Sequence, residues 1–171
     1  KKTSHFLLKK CEFGDYHELN TIKKLSKKGK LLFIDCGCNY GFYSLYTASL
    51  SEKNEIISIE ASKNTLEEFK KNLNLNNLKN VNFFNNSVSN RAGENVSFYE
   101  SINDWESSQT HKNFKTSSEL IVDSITIDSL LKDHYLDDYN VIIKLDIEGN
   151  EINAIKGALD VIKKSNPLII I

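Results

Sequence analysis

The sequence predicts an α/β protein with a mostly parallel sheet and helices on both faces. Short apolar runs alternate along the 171 residues with stretches in which apolar residues recur every three or four positions. The largely apolar run 141–147, interrupted by Lys144, is typical of a central parallel strand that is covered on both faces. Strands that alternate with helices are joined by right-handed crossovers, which makes neighbouring strands parallel.

The first elements are a helix, a strand and a second helix. Apolar residues at helical spacing predict an amphipathic helix over 15–28, and Gly29 ends it. The apolar run 31–36 predicts the first strand of the sheet, and the segment 42–51 returns to a helical period.

The same alternation continues through the next forty residues or so of the chain. The run 55–60 predicts a second strand. It leads into a helix on which Leu66, Phe69 and Leu73 share one face, because they are spaced by three and four residues. The apolar segment 81–84 then predicts a third strand.

The second half of the chain adds to this pattern. Alternating residues over 96–100 predict a small added strand, with a turn at Gly93 before it. The segment 121–131 predicts a strand and a short helix, 141–147 the fourth core strand, and 167–171 a buried fifth one. Between the last two strands we expect one helix, with a buried stripe formed by Ile152, Ile155, Leu159 and Ile162.

The composition argues against several classes of function. A formal net charge of -1 argues against a dedicated nucleic-acid surface, and the lysines near the start fit a solvated helix face. No apolar run is long enough to span a membrane. Cys36 and Cys38 flank a glycine and imply no disulfide framework, which favours a reducing, cytoplasmic location. Without a second Cys or His pair they form a poor metal site, so we expect no metal.

The segment from Leu31 to Gly41 contains the strongest functional signal. An apolar strand ends at Asp35, and Gly37 and Gly41 follow before the next helix. A strand, a glycine loop and a helix N-terminus in this order bind nucleotide-like cofactors in α/β proteins. Nineteen residues after Gly41, Glu60 closes the second strand, and that spacing suits a carboxylate that binds ribose hydroxyls. The chain is therefore expected to bind an adenosine-containing cofactor.

Two residues distinguish between such cofactors. Asp35 would repel the pyrophosphate of a dinucleotide but suits a ligand with an ammonium and a sulfonium group. Asn39 stands where a dinucleotide fingerprint has glycine, and Asn enters the left-handed region more readily than most residues. S-adenosylmethionine therefore fits better than NAD. The cofactor-binding candidates here are Asp35, Gly37, Asn39, Gly41 and Glu60, although both acids could instead cap a loop or helix.

Two segments resemble a known family. Residues 35–44, Asp-Cys-Gly-Cys-Asn-Tyr-Gly-Phe-Tyr-Ser, resemble the Asp-x-Gly-Ala-Asn-x-Gly-x-x-Ser/Thr loop of FkbM-type methyltransferases, a class I S-adenosylmethionine-dependent group. Residues 144–158 are similar to that family's Lys-x-Asp-x-Glu-Gly-x-Glu segment, which is followed by Leu-Lys-Gly-Ala. Residues 122–128 resemble a weaker family segment. Cys38 and Asn150 both stand where the family often has Ala, and both are small.

The resemblance implies a Rossmann-like class I methyltransferase fold over 31–171, preceded by an N-terminal helical segment over 1–30. A complete fold of this class has seven strands, so we expect a domain truncated after the fifth strand, with its C-terminal strands missing. The implied reaction is O-methylation of a hydroxyl on a saccharide or related metabolite, with S-adenosylmethionine as cofactor. Asn86 and Ser87, after the third strand, become candidates for contact with the adenine edge.

Three residues of the second segment are catalytic candidates. Asp146 and Glu148 are two residues apart at the end of a strand, so in an extended chain both point to the same side. One of them could act as the base or hold the acceptor hydroxyl. Glu148 could instead cap the N-terminus of the helix that starts near Glu151. Lys144 is costly to bury unpaired, so we expect it to bond a carboxylate.

The polar segment 102–118 has no clear periodicity, and a long loop of this kind is either a functional lid or disordered. We favour a lid over the acceptor site. Trp105 within it either stacks on a flat ligand face or anchors the core. His111 is a further candidate base, and the spacing of the four histidines indicates no metal site.

Two alternatives to a methyltransferase stay open. One is an NAD(P)-dependent Rossmann oxidoreductase, which Asp35 and the missing central glycine disfavour. The other is a non-catalytic partner subunit that has kept the fold. The intact residues that argue against this second alternative are Asp35, Gly37, Gly41, Glu60 and Asp146.

Overall fold

The computed structural model describes residues 15–100 and 118–171, whose strands form two sheets. The strands are β1 (Lys30–Cys36), β2 (Glu55–Ile59), β3 (Val81–Phe84), β4 (Ser87–Val88), β5 (Asn95–Glu100), β6 (Ser118–Ile125), β7 (Tyr139–Leu145) and β8 (Leu168–Ile170). The helices are α1 (Tyr16–Lys28), α2 (Phe42–Leu50), α3 (Lys63–Leu75), α4 (Ile127–Leu130), α5 (Glu151–Lys156) and α6 (Leu159–Ser165).

The larger sheet has five parallel strands in the order β3-β2-β1-β7-β8. β1 is central, and each of its residues after Lys30 is buried. The chain leaves β1 toward β2 and β3 on one side and later returns to β7 and β8 on the other. In sheets of this kind, ligands bind beyond the carboxyl ends of the strands at the point where the direction switches. The predicted parallel α/β architecture with five core strands is confirmed.

Successive residues of β1 pack on opposite faces of this sheet. Leu31 and Phe33 belong to one buried cluster with Ile22 of α1 and Ala48 of α2. Their neighbours Leu32 and Ile34 belong to a second cluster, to which α4, α5 and α6 contribute Ile127, Ala154 and Val161. Each fully buried large aliphatic or aromatic side chain contributes roughly 1.5–3 kcal/mol to stability. Helices therefore cover both faces, as the sequence predicts.

The smaller sheet has the order β4-β6-β5, with β4 parallel and β5 antiparallel to β6. The predicted added strand and the strand at the start of 121–131 are thus paired with each other, and Gly93 (φ +77°) lies in the turn before β5. Phe98 and Val122 form a buried cluster with Ala61, which comes shortly after β2. The smaller sheet therefore packs beside the carboxyl end of β2.

The prediction of a single helix between β7 and β8 is wrong. The chain forms α5 and α6, which are separated by Gly157 and Ala158. Two residues of the predicted buried stripe lie outward, because Ile152 is 71% exposed and Leu159 is 45% exposed. Ala154 and Ala158 are the buried positions instead, together with Val161 of α6.

Asp128 explains this interruption. Its backbone N–H donates to the carbonyl of Gly157 at 2.8 Å, and its Oδ1 accepts from the N–H of Val161 at 2.9 Å. A methyl group on Gly157 would also overlap the carbonyl of Ser89. Contacts with other elements thus end one helix and start the next. The spacing of apolar residues within 151–165 gives no sign of these contacts.

Some predictions fall outside the described residues. They are the lid predicted over 102–118 and the roles predicted for Trp105 and His111 within it. Of this segment, only Ser118 is described, as the first residue of β6. Within residues 15–100 and 118–171, no helix has both the length and the apolar composition needed to cross a membrane.

Candidate functional site

A cavity of about 610 Å³ opens at the carboxyl ends of β1, β2 and β7. Its volume lies within the roughly 300–1,000 Å³ that is usual for small-molecule sites. The cofactor and catalytic candidates from both segments meet around it. The predicted residues that line it are Asp35, Gly37, Asn39, Glu60, Asn86, Ser87, Lys144, Asp146 and Glu148.

Backbone contacts shape the glycine loop, residues 37–41. The N–H of Gly37 donates to the carbonyl of Ile59, the last residue of β2, at 2.9 Å. Asn39 adopts φ +50°, the left-handed conformation that its residue type was expected to tolerate. Gly41 (φ +88°) does not line the cavity, but a methyl group there would overlap the ring of Phe69 in α3. Gly41 therefore lets the loop pack closely on α3.

Glu60 bonds to backbone on both sides of its carboxylate. Its Oε2 accepts from the N–H of Asn39 and its Oε1 from the N–H of Ser62, both at 2.9 Å. Burial raises the pKa of Glu60, and these hydrogen bonds oppose the rise only in part. The cap of α3 is Ser62, whose Oγ accepts from the N–H of Thr65. A carboxylate has about four acceptor positions, so Glu60 keeps capacity for ribose hydroxyls in the cavity.

Asp35 is only 1% exposed and lies in a polar network beneath the glycine loop. Ser44 Oγ donates to its Oδ2 at 2.6 Å and lies 2.7 Å from Ser58 Oγ. Burial raises the pKa of Asp35, while the positive charge of Lys144 and the bond from Ser44 lower it by less. Its other oxygen, Oδ1, has no hydrogen-bond donor among the described residues. A buried acceptor of this kind in the cavity wall fits a cationic ligand group.

Lys144 joins the two segments. Its Nζ lies 3.1 Å from Asp146 Oδ2, 3.7 Å from Asp35 Oδ1 and 4.9 Å from the centre of the Tyr43 ring. Burial lowers the pKa of Lys144, but the charges of Asp35 and Asp146 outweigh this effect, so the pKa lies above its ordinary value. The expectation that Lys144 bonds a carboxylate is confirmed.

The prediction that the chain is extended from Asp146 to Glu148 is wrong. β7 ends at Leu145, and Glu148 (φ +52°) and Gly149 (φ +101°) turn the chain immediately afterwards. The alternation of an extended strand therefore does not decide where these side chains lie. Both are nevertheless exposed and line the cavity.

The two segments also touch through their backbones. The N–H of Asp146 donates to the carbonyl of Cys36 at 3.1 Å. Gly37 has φ +75°, and a methyl group on it would overlap the carbonyl of Asp146. Glycine at this position therefore permits the close approach of the two segments.

Asn86 and Ser87 line the cavity beside the smaller sheet. The Nδ2 of Asn86 donates to the carbonyl of Asp123 in β6 at 3.0 Å, so this side chain anchors the smaller sheet. Ser87 is the first residue of β4 and is 6% exposed. Their contact with an adenine edge stays a prediction.

Residues of the cavity wall that the sequence interpretation missed include Asp15, Tyr43, Phe98 and Asn150. Burial, followed by the charge and the hydrogen bond of Asp15, raises the pKa of Tyr43 well above its ordinary range. The Nδ2 of Asn150 donates to the carbonyl of Val88 in β4 at 2.7 Å. Tyr43 and Asn150 lie inside the family-like segments, which was a usable signal. Phe98 and Asp15 reach the cavity only through tertiary packing.

Acidic side chains predominate among the charged residues of the cavity wall. Five carboxylates and one lysine line it: Asp15, Asp35, Glu60, Asp146 and Glu148, with Lys144. Clefts lined by one sign of charge attract ligands of the opposite sign. In the described part of the chain, no three His, Cys, Asp or Glu side chains are grouped so that they could hold a metal ion.

Comparison with known families decides between the remaining readings of this cavity. The model of the methyltransferase FkbM domain matches residues 35–171. The chain belongs to the FkbM methyltransferase family. The resemblance predicted from the two segments is confirmed, and the cofactor of this domain is S-adenosylmethionine. The acidic cavity and the buried acceptor atom Oδ1 of Asp35 fit that cationic cofactor. No curated protein matches the chain.

Two solved structures are compared with this FkbM domain. An rRNA methylase from Streptococcus thermophilus superimposes with a TM-score of 0.50 at 11% identity, over 87% of this chain and 64% of that one. A protein from Streptococcus mutans, described as a candidate methyltransferase in complex with S-adenosylhomocysteine, gives 0.49 at 11% identity, over 87% and 66%. The first likeness shows the class I methyltransferase fold. The chain spans 43% to 66% of the first four structures matched.

Proposed function

We propose that this FkbM methyltransferase methylates a hydroxyl group on a small saccharide or related polar metabolite. The observation that carries the proposal is the cavity wall with five carboxylates and one lysine. Such a wall favours a cationic cofactor, and it favours a neutral acceptor with many hydroxyls over a phosphorylated one. The family match over residues 35–171 supports the reaction class.

The residues at the ends of β1 and β2 would hold the cofactor. Glu60 has acceptor capacity for ribose hydroxyls, and Oδ1 of Asp35 suits an ammonium group. Phe98 offers an apolar wall for adenine beside Asn86 and Ser87. When bound, S-adenosylmethionine supplies an already activated methyl group. The protein then has to orient the acceptor and remove its proton.

Asp146 and Glu148 are the groups that would meet the acceptor. The side chain of Asp146 is 64% exposed, and its ion pair with Lys144 fixes the carboxylate at the cavity wall. A carboxylate that accepts a hydrogen bond from the acceptor hydroxyl can take its proton as the new bond to carbon forms. General-base catalysis of this kind contributes roughly a hundred- to ten-thousand-fold to the rate.

We expect no nucleic-acid partner for this protein. Phosphate groups would meet mostly carboxylates in the cavity wall, and the overall charge of the chain is -1. The likeness to an rRNA methylase rests on 11% identity and concerns the fold alone. A cytoplasmic location is part of the proposal, and the free thiols of Cys36 and Cys38 support it.

Calorimetry and an acceptor screen test the proposal. We expect S-adenosylhomocysteine to bind and to raise the melting temperature, whereas NAD should do neither. Binding of NAD alone would contradict the proposal in favour of the oxidoreductase alternative. In the screen, the protein is incubated with methyl-labelled S-adenosylmethionine and with neutral saccharides, phosphorylated compounds or nucleic acids as acceptors. We expect the label to be transferred to neutral saccharides. Cofactor binding without transfer to any acceptor would favour the non-catalytic partner subunit.

A further inference from the structure

The loop over residues 146–149 is held by the carboxylate of Glu151, the first residue of α5. Its Oε1 accepts from the N–H of Ile147 at 3.3 Å and from the N–H of Gly149 at 3.1 Å. Its Oε2 accepts from the same N–H of Gly149 at 3.0 Å. One carboxylate therefore bonds backbone donors on both sides of Glu148.

The backbone of Glu148 explains why this support matters. Its φ of +52° lies in the left-handed region, which is unfavourable for a residue other than glycine. Such a conformation persists where the surroundings enforce it. The bonds from Ile147 and Gly149 to Glu151 enclose Glu148 and stabilise the turn.

The same loop packs against the glycine loop. The N–H of Asp146 bonds the carbonyl of Cys36, and the carbonyl of Asp146 lies where a side chain on residue 37 would be. A shift of the 146–149 loop would therefore move both the acceptor-side carboxylates and one wall of the cofactor site. Glu151 itself does not line the cavity.

We propose that Glu151 is a positioning residue, which holds the 146–149 loop against the glycine loop so that cofactor affinity depends on it. The proposal rests on the proposed function only in placing the cofactor in this cavity. Glu151 acts through Ile147 and Gly149, and it touches neither cofactor nor acceptor.

The test needs a variant that separates positioning from ordinary helix capping. Asp128 provides it, because its carboxylate accepts from the N–H groups of Val161 at 2.9 Å and Asp160 at 3.2 Å at the start of α6. Asp128 thus bonds two backbone donors at a helix start, as Glu151 does, but it lies outside the cavity lining. Asp128→Ala is therefore the control for Glu151→Ala.

The probe is S-adenosylhomocysteine, and calorimetry is combined with denaturant unfolding. We expect Glu151→Ala to weaken binding about tenfold and Glu151→Gln, which keeps one acceptor oxygen, about threefold. Asp128→Ala should weaken it less than about twofold at a similar loss of stability. Equal losses of affinity in the two alanine variants would overturn the proposal.

Amide spectra provide a readout that does not depend on the ligand. At a fixed neutral pH, the amide resonances of Ile147 and Gly149 should move in Glu151→Gln and further in Glu151→Ala, and both amides should exchange with solvent faster, because they lose their acceptor. Unchanged resonances and exchange rates of both amides in Glu151→Ala would also overturn the proposal. If the wild-type chain does not bind S-adenosylhomocysteine, the proposed function fails, and the amide spectra then decide the role of Glu151 alone.

Discussion

The backbone N–H of Asn39 donates a 2.9 Å hydrogen bond to Oε2 of Glu60, which joins the glycine loop to the end of β2. The two residues are 21 positions apart in the chain. Because the second oxygen of Glu60 accepts from Ser62, the carboxylate orders backbone on both sides. Glu60 therefore both shapes the cofactor site and lines it.

Glu60→Gln is expected to weaken binding of S-adenosylhomocysteine at least about tenfold. The amide would turn an NH₂ group toward a backbone N–H, and a buried donor without an acceptor costs about 1–3 kcal/mol. Glu55→Gln is the control at the other end of β2, where the carboxylate bonds His134 and Tyr139. Calorimetry on both variants checks the prediction, and similar affinities for the two would contradict it.

Gly41→Ala is expected to lower the free energy of unfolding by about 2–4 kcal/mol. Backbone strain at φ +88° and overlap with the ring of Phe69 both contribute. Gly93→Ala is the control, because its φ of +77° brings similar strain but no atom lies within 4 Å of the added methyl group. Urea unfolding should show a loss of only about 1–2 kcal/mol there. An equal loss in both variants would show that packing against Phe69 is unimportant.

The contribution of Asp35 and Glu60 to the stability of the free protein is expected to fall as pH rises above about 4. Burial raises the pKa of Asp35 above 3.8 and that of Glu60 above 4.5, so the folded chain keeps protons that the unfolded chain has released. The stability that these protons bring is present below the ordinary pKa values and is lost as pH rises through the raised ones.

Asp35→Asn should make this decline shallower, because one of the two buried carboxyls is then absent. Unfolding free energies measured at several pH values, for the variant and the wild-type protein, check the prediction. A decline of the same steepness in Asp35→Asn would show that Asp35 does not hold a proton in the folded state.

Asp146→Asn is expected to lower turnover by about a hundred- to ten-thousand-fold, because an amide cannot take the proton of an acceptor hydroxyl. Affinity for S-adenosylhomocysteine should stay within about twofold, since the backbone bond to Cys36 is kept. Asp138→Asn, just before β7, is the control with an exposed acid away from the cavity. Initial rates with the acceptor found in the screen check this, and unchanged turnover would remove Asp146 from the catalytic candidates.

The parts of the site that could be predicted from the sequence have local signals. The glycine loop is a contiguous pattern, and Glu60 ends an apolar run at a recognisable distance from it. Parallel strands place such strand ends at one edge of the sheet. Asp35, Glu60 and Asp146 could therefore be assigned to one crevice before any contact was known.

The parts that could not be predicted depend on distant residues. The helix break at Gly157 follows from bonds to Asp128, and the left-handed turn at Glu148 is held by Glu151. Phe98 reaches the cavity because the smaller sheet packs on Ala61. None of these contacts leaves a periodic trace in the neighbouring sequence, so local patterns indicated an unbroken helix and an extended strand end.

The close contact between Gly37 and the carbonyl of Asp146 has a consequence for protein engineering. A chimera made from two homologues with a crossover between these positions would combine a loop from one parent with a backbone turn from the other. Crossovers before Gly37 or after Glu151 would transfer both parts as one unit. Recombination libraries for this family should therefore keep the two segments from a single parent.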